Sequence, residues 1–284
     1  MVRGLFNRLR RTSAEPPLTE PPASTGERVV PERSGEGLAR ANLVRHRAPY
    51  LHTRKQFREA KRVLDVGCGT GYGSAMIATP DREVVGVDTS DEAVEWARTT
   101  YRGENASFFT MPATELRFPD DSFDAVCSVQ SIEHFDDVEV FLTEAVRILR
   151  PGGVLAVATP NRLTYSPGGK INPFHTQEYD ARELEQLLAG SFEEVEVTGL
   201  HAGLDLSLAP GVTTHFHEYG ARVEALREAL REAPEDVRQF VEEWLVEDGF
   251  ESFNFGAVGL HSFPVSPKSI DTSLDLIATC TKPR

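Results

Sequence analysis

Two acids and the glycine turn between them are the residues of this sequence best suited to hold a ligand. Asp65 falls inside the apolar run 62–66, glycines follow at every second position from 67 to 73, and Asp88 directly follows the apolar run 83–87. Glycine lets the backbone adopt positive φ or approach a ligand closely. A helix that starts after such a turn presents N–H groups to a polar or anionic ligand. An acid at the tip of the second strand is placed to bind a ribose diol.

The glycine spacing differs from two well-known phosphate-binding loops. A dinucleotide fingerprint needs Gly-x-Gly-x-x-Gly. The frame starting at Gly67 has Tyr72 at the third glycine, and the frame starting at Gly69 has Ser74 there. A Walker loop is excluded because no Gly-Lys-Ser/Thr follows. A dinucleotide-dependent oxidoreductase using NAD is therefore disfavoured, although it remains the leading alternative from another class.

Two histidines are candidate general bases, because imidazole titrates near neutral pH and can take a proton from a hydroxyl or an amine. His134 follows the predicted strand 124–129, whose carboxyl end is where ligands bind in a parallel sheet. His175 lies in a long glycine-containing loop after the predicted strand 154–158. The alternative for His134 is a helix cap. Candidate substrate contacts in the same loop, or else ordinary loop packing, are Tyr165, Asn172 and Phe174.

Further histidines lie between the last two predicted strands. His215, His217 and His261 are predicted as polar contacts of a substrate pocket. Imidazole and carboxylate are suitable metal ligands, and His215 and His217 precede Glu218. The spacing matches no strong signature such as His-Glu-x-x-His, so we predict no metal site.

Apolar strands and amphipathic helices must position these residues. Predicted strands cover 62–66, 83–87, 106–109, 124–129, 154–158, 192–200 and 273–279. Predicted helices cover 35–60 with a break near Pro49, 74–78, 91–101 with Ser90 as cap, 138–149 and 180–189. Residues 150–153 are predicted as a turn that ends a helix. Two amphipathic helices are predicted within 201–270, as a lid, a dimer contact or a structural ornament.

Several of these motifs together resemble the class I S-adenosyl-L-methionine-dependent methyltransferases. Residues 63–73 and 84–88 are similar to the family's first two motifs; residues 116–124, 128–134 and 149–153 resemble the stretches around its fourth and fifth strands. The likeness covers roughly residues 60–200 and the last strand. It implies an α/β fold, a three-layer Rossmann-like arrangement of seven mostly parallel strands with an antiparallel last strand, here with a helical lid insertion.

The resemblance also implies an enzyme with S-adenosyl-L-methionine as cofactor. Asp65 would contact its methionine end and Asp88 its ribose. The family usually places an acid after the third strand to bind adenine, but Pro112 stands there, so the backbone at Ala113 and the side chain of Thr114 or Glu115 are predicted instead. The predicted cofactor-binding residues are Asp65, Gly67, Gly69, Gly71, Asp88, Thr89, Ala113, Thr114 and Gln130.

The implied reaction transfers a methyl group to a nucleophilic oxygen, nitrogen or carbon. We predict a small-molecule acceptor and O-methylation of a hydroxyl in secondary metabolism, with N- or C-methylation as the alternative. The stretch 159–162, followed by His175, is similar to hydroxyl-directed methyltransferases of quinone biosynthesis. A cofactor-binding protein without catalytic activity is a further hypothesis.

The composition of the chain indicates which classes of partner it can bind and how it divides into domains. The 284 residues carry a net charge of −14, which argues against a nucleic-acid partner. Three cysteines without metal spacing predict reduced thiols in a cytoplasmic protein, and no membrane span or secretory signal is predicted. Residues 1–34 are predicted as a basic and proline-rich disordered tail, with weak surface association as an alternative. Residues 35–284 form the predicted methyltransferase domain, with a homodimer left open.

Overall fold

The computed structural model describes residues 20–22, 29–31, 37–169, 172–203 and 259–284. Its helices are α1 (Gly37–Gln56), α2 (Tyr72–Ile77), α3 (Asp91–Thr100), α4 (Val138–Ile148), α5 (Arg162–Tyr165) and α6 (Ala181–Ala189). None of these helices combines the length and apolarity needed to cross a membrane. Most of the predicted tail and most of the predicted insertion fall outside the described residues, so both stay predictions.

The strands form one sheet in the described part of the chain. They are β1 (Arg62–Val66), β2 (Glu83–Asp88), β3 (Ala106–Thr110), β4 (Phe123–Val129), β5 (Leu149–Pro160), β6 (Glu193–Leu200), β7 (Val265–Ser266) and β8 (Asp275–Thr281). The order is β3-β2-β1-β4-β5-β8-β6-β7, parallel from β3 to β5, with β8 antiparallel to both β5 and β6. The predicted Rossmann-like sheet with a reversed last strand is confirmed. The eighth strand, β7, was not predicted because two residues are too short to show an alternating pattern.

Two predicted boundaries are wrong. Pro49 lies inside α1 and does not break it. Residues on both sides of Pro49, Ala48 and Tyr50, are buried against the sheet, and this packing offsets the hydrogen bond that proline cannot donate. The turn predicted at 150–153 belongs to β5, because the Gly152 N–H donates to the Lys282 carbonyl at 3.0 Å.

Apolar side chains cover both faces of the sheet. In β1, Val63 packs on the face covered by α1 and α2, whereas Leu64 packs on the face covered by α4 and α6. This alternation follows from the two-residue period of a strand. The cysteines, predicted as unpaired thiols, are all buried and free of disulfides: Cys68, Cys127 and Cys280. Two cores pack against the sheet, and because β1 to β5 are parallel, their carboxyl ends lie along one edge.

A buried ion pair joins the first described helix to the last strand. Arg45 in α1 donates from Nε to Asp275 Oδ2 at 2.7 Å, and its second nitrogen contacts the other carboxylate oxygen. The Asp275 side chain has no exposed surface. Loss of one partner of such a pair costs about 3–5 kcal/mol, because the other charge is left buried without compensation. The contact fixes α1 across the sheet.

Candidate active site

A cavity of about 500 Å³ lies at the carboxyl edge of the sheet. We call it the first cavity. Its wall is built where β1, β2, β3 and β4 end, the edge at which parallel sheets bind ligands. The predicted cofactor residues that line it are Gly67, Gly69, Asp88, Thr89, Ala113, Thr114 and Gln130. The structure therefore brings together residues from four separate strand ends.

The glycine turn after β1 forms one wall of the first cavity. Gly67 has φ 76°, and a Cβ atom there would lie 2.6 Å from the Cβ of Ser131. Gly69 has φ 53°, and a Cβ atom there would meet nothing within 4 Å. Side chains rarely adopt these backbone angles. Gly67 thus allows close packing against the turn after β4, while Gly69 presents bare backbone to the open cavity.

Asp88 holds this turn and also faces the first cavity. Its Oδ2 accepts a hydrogen bond from the Gly69 N–H at 2.9 Å, and its Oδ1 accepts from the Ser90 N–H at 2.9 Å. A carboxylate has about four acceptor sites, so both oxygens retain capacity for a ligand. The ribose contact of Asp88 stays a prediction, and the position of its side chain in the wall is compatible with it.

Asp65 and Gly71 lie in the core and not in the wall of the first cavity. Asp65 is fully buried, accepts from Ser74 Oγ at 2.6 Å, and has Tyr50 Oη at 3.5 Å. Burial raises the pKa of Asp65 to about 6, against the opposing effect of its hydrogen bonds. At Gly71 a Cβ atom would lie 2.6 Å from Ala97, so this glycine is needed for packing. The expected contact of these two residues with the cofactor is not found in the wall, since α1 and α2 close over Asp65.

Gln130 directly follows β4 and supplies a donor without a protein partner. Its backbone has φ 52°, and its N–H donates to the Ala158 carbonyl at 2.7 Å. Its Nε2 is buried and makes no hydrogen bond within the described residues. A buried donor without a partner costs about 1–3 kcal/mol, which a ligand acceptor would recover.

The charges of the wall fit a cationic nucleoside. Asp88 and Asp136 line the first cavity, and neither lysine nor arginine does so among the described residues. A sulfonium nucleoside carries positive charge and a ribose diol. The orphaned Gln130 amide, the two carboxylates and the open backbone at Gly69 are the groups that would hold it.

Several lining residues were missed by sequence reasoning: Met111, Ser131, Phe135 and Asp136. Each lies within a few residues of a predicted contact, just beyond the end of β3 or β4. Extending the predictions past each strand end would have found them. Pro112, which stands where the family has an acid, also lines the cavity, next to Ala113 and Thr114.

His134 lies in the wall of the first cavity, and its hydrogen bond identifies the protonated nitrogen. His134 Nδ1 is 2.9 Å from the Phe174 carbonyl oxygen. A carbonyl only accepts, so Nδ1 carries the proton of the neutral ring and Nε2 keeps its lone pair. This arrangement suits a general base.

His175 lies behind His134 and does not line the cavity. Its Nδ1 is 2.8 Å from Glu178 Oε1, and the two histidine rings are 5.0 Å apart. The Thr176 N–H donates to the Glu133 carbonyl at 2.7 Å. This hydrogen bond joins the loop that contains His175 to the turn that contains His134. A role of His175 as a direct base stays a prediction, and its position outside the wall suits support of His134.

The remaining predicted substrate residues fall in different places. Phe174 lines the first cavity and is 61% exposed. Tyr165 stacks on His175 with ring centroids 5.3 Å apart and accepts from Asn172 Nδ2 at 2.8 Å, so both lie outside the wall. His261 is exposed in the turn Leu260–Ser262, away from this wall. His215 and His217 lie outside the described residues.

A buried acid completes the group around His134. Glu133 Oε2 accepts from Thr159 Oγ1 at 2.9 Å, and burial raises the pKa of Glu133. The ligand atoms of Glu133, His134 and His175 all lie within 4.8 Å of one another. The residue types are those that bind divalent cations, and the His175 ring also packs edge-on against the His134 ring.

Comparisons with known proteins agree with this geometry. A family model described as a methyltransferase domain matches residues 64–157. A relative from Mycolicibacterium smegmatis, named "Probable S-adenosylmethionine-dependent methyltransferase", is 38% identical over 267 residues, which are 91% of this chain and 95% of the relative. A ubiquinone biosynthesis O-methyltransferase from Rhizobium etli is 39% identical over 152 residues, 48% of this chain and 61% of that protein.

Solved structures show the same fold. A methyltransferase from Thermotoga maritima that depends on S-adenosylmethionine is 20% identical, with a TM-score of 0.54. The superposition covers 84% of this chain and 92% of that chain. At this identity the likeness supports the fold alone.

Proposed function

The chain belongs to the class I S-adenosylmethionine-dependent methyltransferases, and we propose that it methylates a hydroxyl group of a small-molecule acceptor in secondary metabolism. When bound, the cofactor supplies an electrophilic methyl group on a positively charged sulfur. The observation that carries the proposal is the position of His134, in the wall of the first cavity with its Nδ1 hydrogen-bonded to the Phe174 carbonyl, so that Nε2 is the nitrogen left to accept a proton.

His134 would take the proton of the acceptor hydroxyl at Nε2. A hydroxyl is a weak nucleophile until it begins to lose its proton, so a positioned base lowers the barrier. The Phe174 carbonyl holds the proton on Nδ1, and the buried His175–Glu178 pair stands behind the ring. General-base assistance contributes about 10²–10⁴ in rate.

The size and lining of the first cavity support a small acceptor. About 500 Å³ lies within the range of pockets for small molecules and cofactors. The exposed ring of Phe174 offers an apolar surface beside His134, suited to a flat or apolar acceptor. The absence of basic residues from the described wall disfavours a phosphate backbone. Relatives named as O-methyltransferases support oxygen as the methylated atom.

N-methylation of a small amine is the second candidate. Asp136 lines the cavity next to His134 and Phe135. Its carboxylate would attract a cationic amine, and His134 would then remove a proton from nitrogen instead of oxygen.

The test is an acceptor panel with cofactor that carries a deuterated methyl group. Phenols, quinols, sugars and amines are incubated with the protein, and mass spectrometry identifies the labelled atom. We expect label on oxygen, and at least about a hundredfold loss of kcat in His134→Gln with unchanged cofactor affinity.

The matched control is His52→Gln, a histidine of α1 outside the first cavity, which should keep full turnover. Full turnover in His134→Gln would exclude the base, and label on nitrogen or carbon would exclude O-methylation.

A further inference from the structure

A second cavity of about 820 Å³ lies on the face of the sheet covered by α1. One side is a stripe of α1 at helical spacing, formed by residues 48, 51, 52 and 55. The opposite sides are the turn 79–82 and the segment 260–265. It shares no lining residue with the first cavity, so it is a separate site.

Among the described residues, those that line the second cavity include cations and no carboxylate. Arg54, Lys55, Arg58 and Arg82 contribute positive charge, in a chain whose net charge is −14. In the described part of the chain no ion pair includes any of these four residues. Uncompensated cations gathered in one concave surface create a local field that attracts an anion.

Arg82 is built into the wall of this cavity. Its side chain is buried, with Nε donating to the Ala60 carbonyl at 3.0 Å and Nη1 to the Ile77 carbonyl at 3.1 Å. Its Nη2 donates to the Phe57 carbonyl. Carbonyl partners satisfy the N–H groups and leave the positive charge uncancelled. Burial and the neighbouring Arg54 lower the pKa of Arg82, in keeping with that lack of an anion.

The cationic side chains stand next to an apolar surface. Leu51, Leu260, Phe263 and Val265 line the same cavity. Leu260 is 47% exposed. His52 lies between the two kinds of surface, and burial together with Lys55 lowers its pKa.

We propose that the second cavity binds a single-chain anionic amphiphile, with a phosphate or carboxylate head group on Arg54, Lys55 and Arg58 and its apolar chain on Leu260 and Leu51. The cationic side chains would bind the anionic head group through charge-assisted hydrogen bonds. The apolar chain of the amphiphile would remove the exposed Leu260 side chain from water, which is favourable. The inference does not depend on the acceptor proposed for the first cavity.

The test is calorimetric titration of the full chain with decyl phosphate below its micelle concentration. Saturating S-adenosylhomocysteine is present throughout, so that the first cavity is occupied. Inorganic phosphate probes the charge alone, decyl maltoside the chain alone, and phosphatidylglycerol vesicles a membrane surface. We expect decyl phosphate to bind at least about tenfold more tightly than either soluble probe.

Two triple variants separate this cavity from the general surface. The first triple variant removes three exposed charges of the second cavity: Arg54→Gln, Lys55→Gln and Arg58→Gln. It should weaken decyl phosphate binding at least about tenfold. The control triple variant removes the same residue types from exposed positions outside the cavity: Arg102→Gln, Arg182→Gln and Lys268→Gln. It should bind decyl phosphate like the parent. Both should bind S-adenosylhomocysteine like the parent, which shows that they fold.

Three results would overturn the proposal. Equal losses in the two triple variants would mean general surface charge. Equal affinity for decyl phosphate and inorganic phosphate would mean that the apolar residues of the cavity do not contribute to binding. Binding to vesicles without binding of monomeric decyl phosphate would replace the amphiphile by a membrane surface.

Discussion

The two cavities carry opposite charge in one chain. The first is lined by Asp88 and Asp136 and the second by four basic residues, each without the other sign among the described residues. The net charge of −14 agrees with the first and says nothing of the second. Net charge governs solubility and long-range attraction, whereas the sign at a binding site depends on which residues the fold brings together.

The cavities also share one feature. Each cavity is supported by a buried charged residue, Asp65 at the first and Arg82 at the second. The other charged side chains that line each cavity carry the same sign and are more exposed. Asp65 is held by side-chain donors such as Ser74, whereas Arg82 is held by three backbone carbonyls. Backbone carbonyls cannot move away when their partner is lost. The support of the second cavity should therefore be the more sensitive of the two.

The largest expected effect is on Arg82→Met. The substitution leaves the Ala60 and Ile77 carbonyls without their donor, whereas the Phe57 carbonyl keeps the Ala60 N–H, and we expect the free energy of unfolding to fall by about 3–4 kcal/mol. Arg54→Met, an exposed side chain of the same cavity, should change it by less than about 0.5 kcal/mol. Urea denaturation measures both. Similar losses in the two variants would contradict the distinction between supporting and ligand-facing cations.

The next effect is a pH dependence from Asp65. Its folded pKa of about 6 lies above the ordinary 3.8, so the folded state holds a proton that the unfolded state has lost between these values. The contribution to stability is complete below about pH 4 and is lost as pH rises through 6, on the order of 3 kcal/mol. Asp65→Asn cannot titrate, so the wild type should lose stability relative to it over that window. Parallel stability profiles would refute the raised pKa.

A smaller effect concerns Asp88→Ala and cofactor affinity. The loss of a carboxylate that accepts from Gly69 and faces the cavity should weaken S-adenosylhomocysteine binding by about 2 kcal/mol, or roughly thirtyfold. Asp81→Ala, an exposed acid at a turn, is the matched control and should bind normally. Calorimetry should also find decyl phosphate binding unchanged in Asp88→Ala. A loss at both cavities would mean that the variant is misfolded.

The smallest effect is expected for Glu178→Gln. The amide keeps the shape but removes the charge next to His175, which stands behind His134. We expect kcat to fall about fivefold, close to 1 kcal/mol, with unchanged cofactor affinity. The pH dependence of kcat should shift as well, because the charge near the two rings has changed. A change in cofactor affinity with normal kcat would place Glu178 in the cofactor site instead.

Much of the first cavity was predictable because its residues follow strand ends. The ends of β1, β2 and β4 are visible as breaks in apolar runs, so Gly69, Asp88, Gln130 and His134 were found. The burial of the Asp65 side chain was not predicted, although Asp65 belongs to the same kind of run as Asp88. Tyr50, from a helix before β1, and Ser74 close over it. That enclosure depends on contacts between elements, and a local pattern does not contain them.

The second cavity was beyond sequence reasoning altogether. Its sides come from α1, from the turn 79–82 and from residues 260–265, which are far apart in the chain. The basic residues on α1 appear in the sequence as an ordinary polar helix end.

The sequence alone therefore predicted where most strands and helices lie and the glycine turn, since these depend on periodicity and local backbone chemistry, and its motifs carried the resemblance to the family. Only the tertiary structure decided that Asp65 is buried while Asp88 lines the first cavity, that His134 stands in front of His175, and that four cations line the second cavity with no acid among the described lining residues. Each of these outcomes depends on side chains packing across distant elements, where burial and proximity are set.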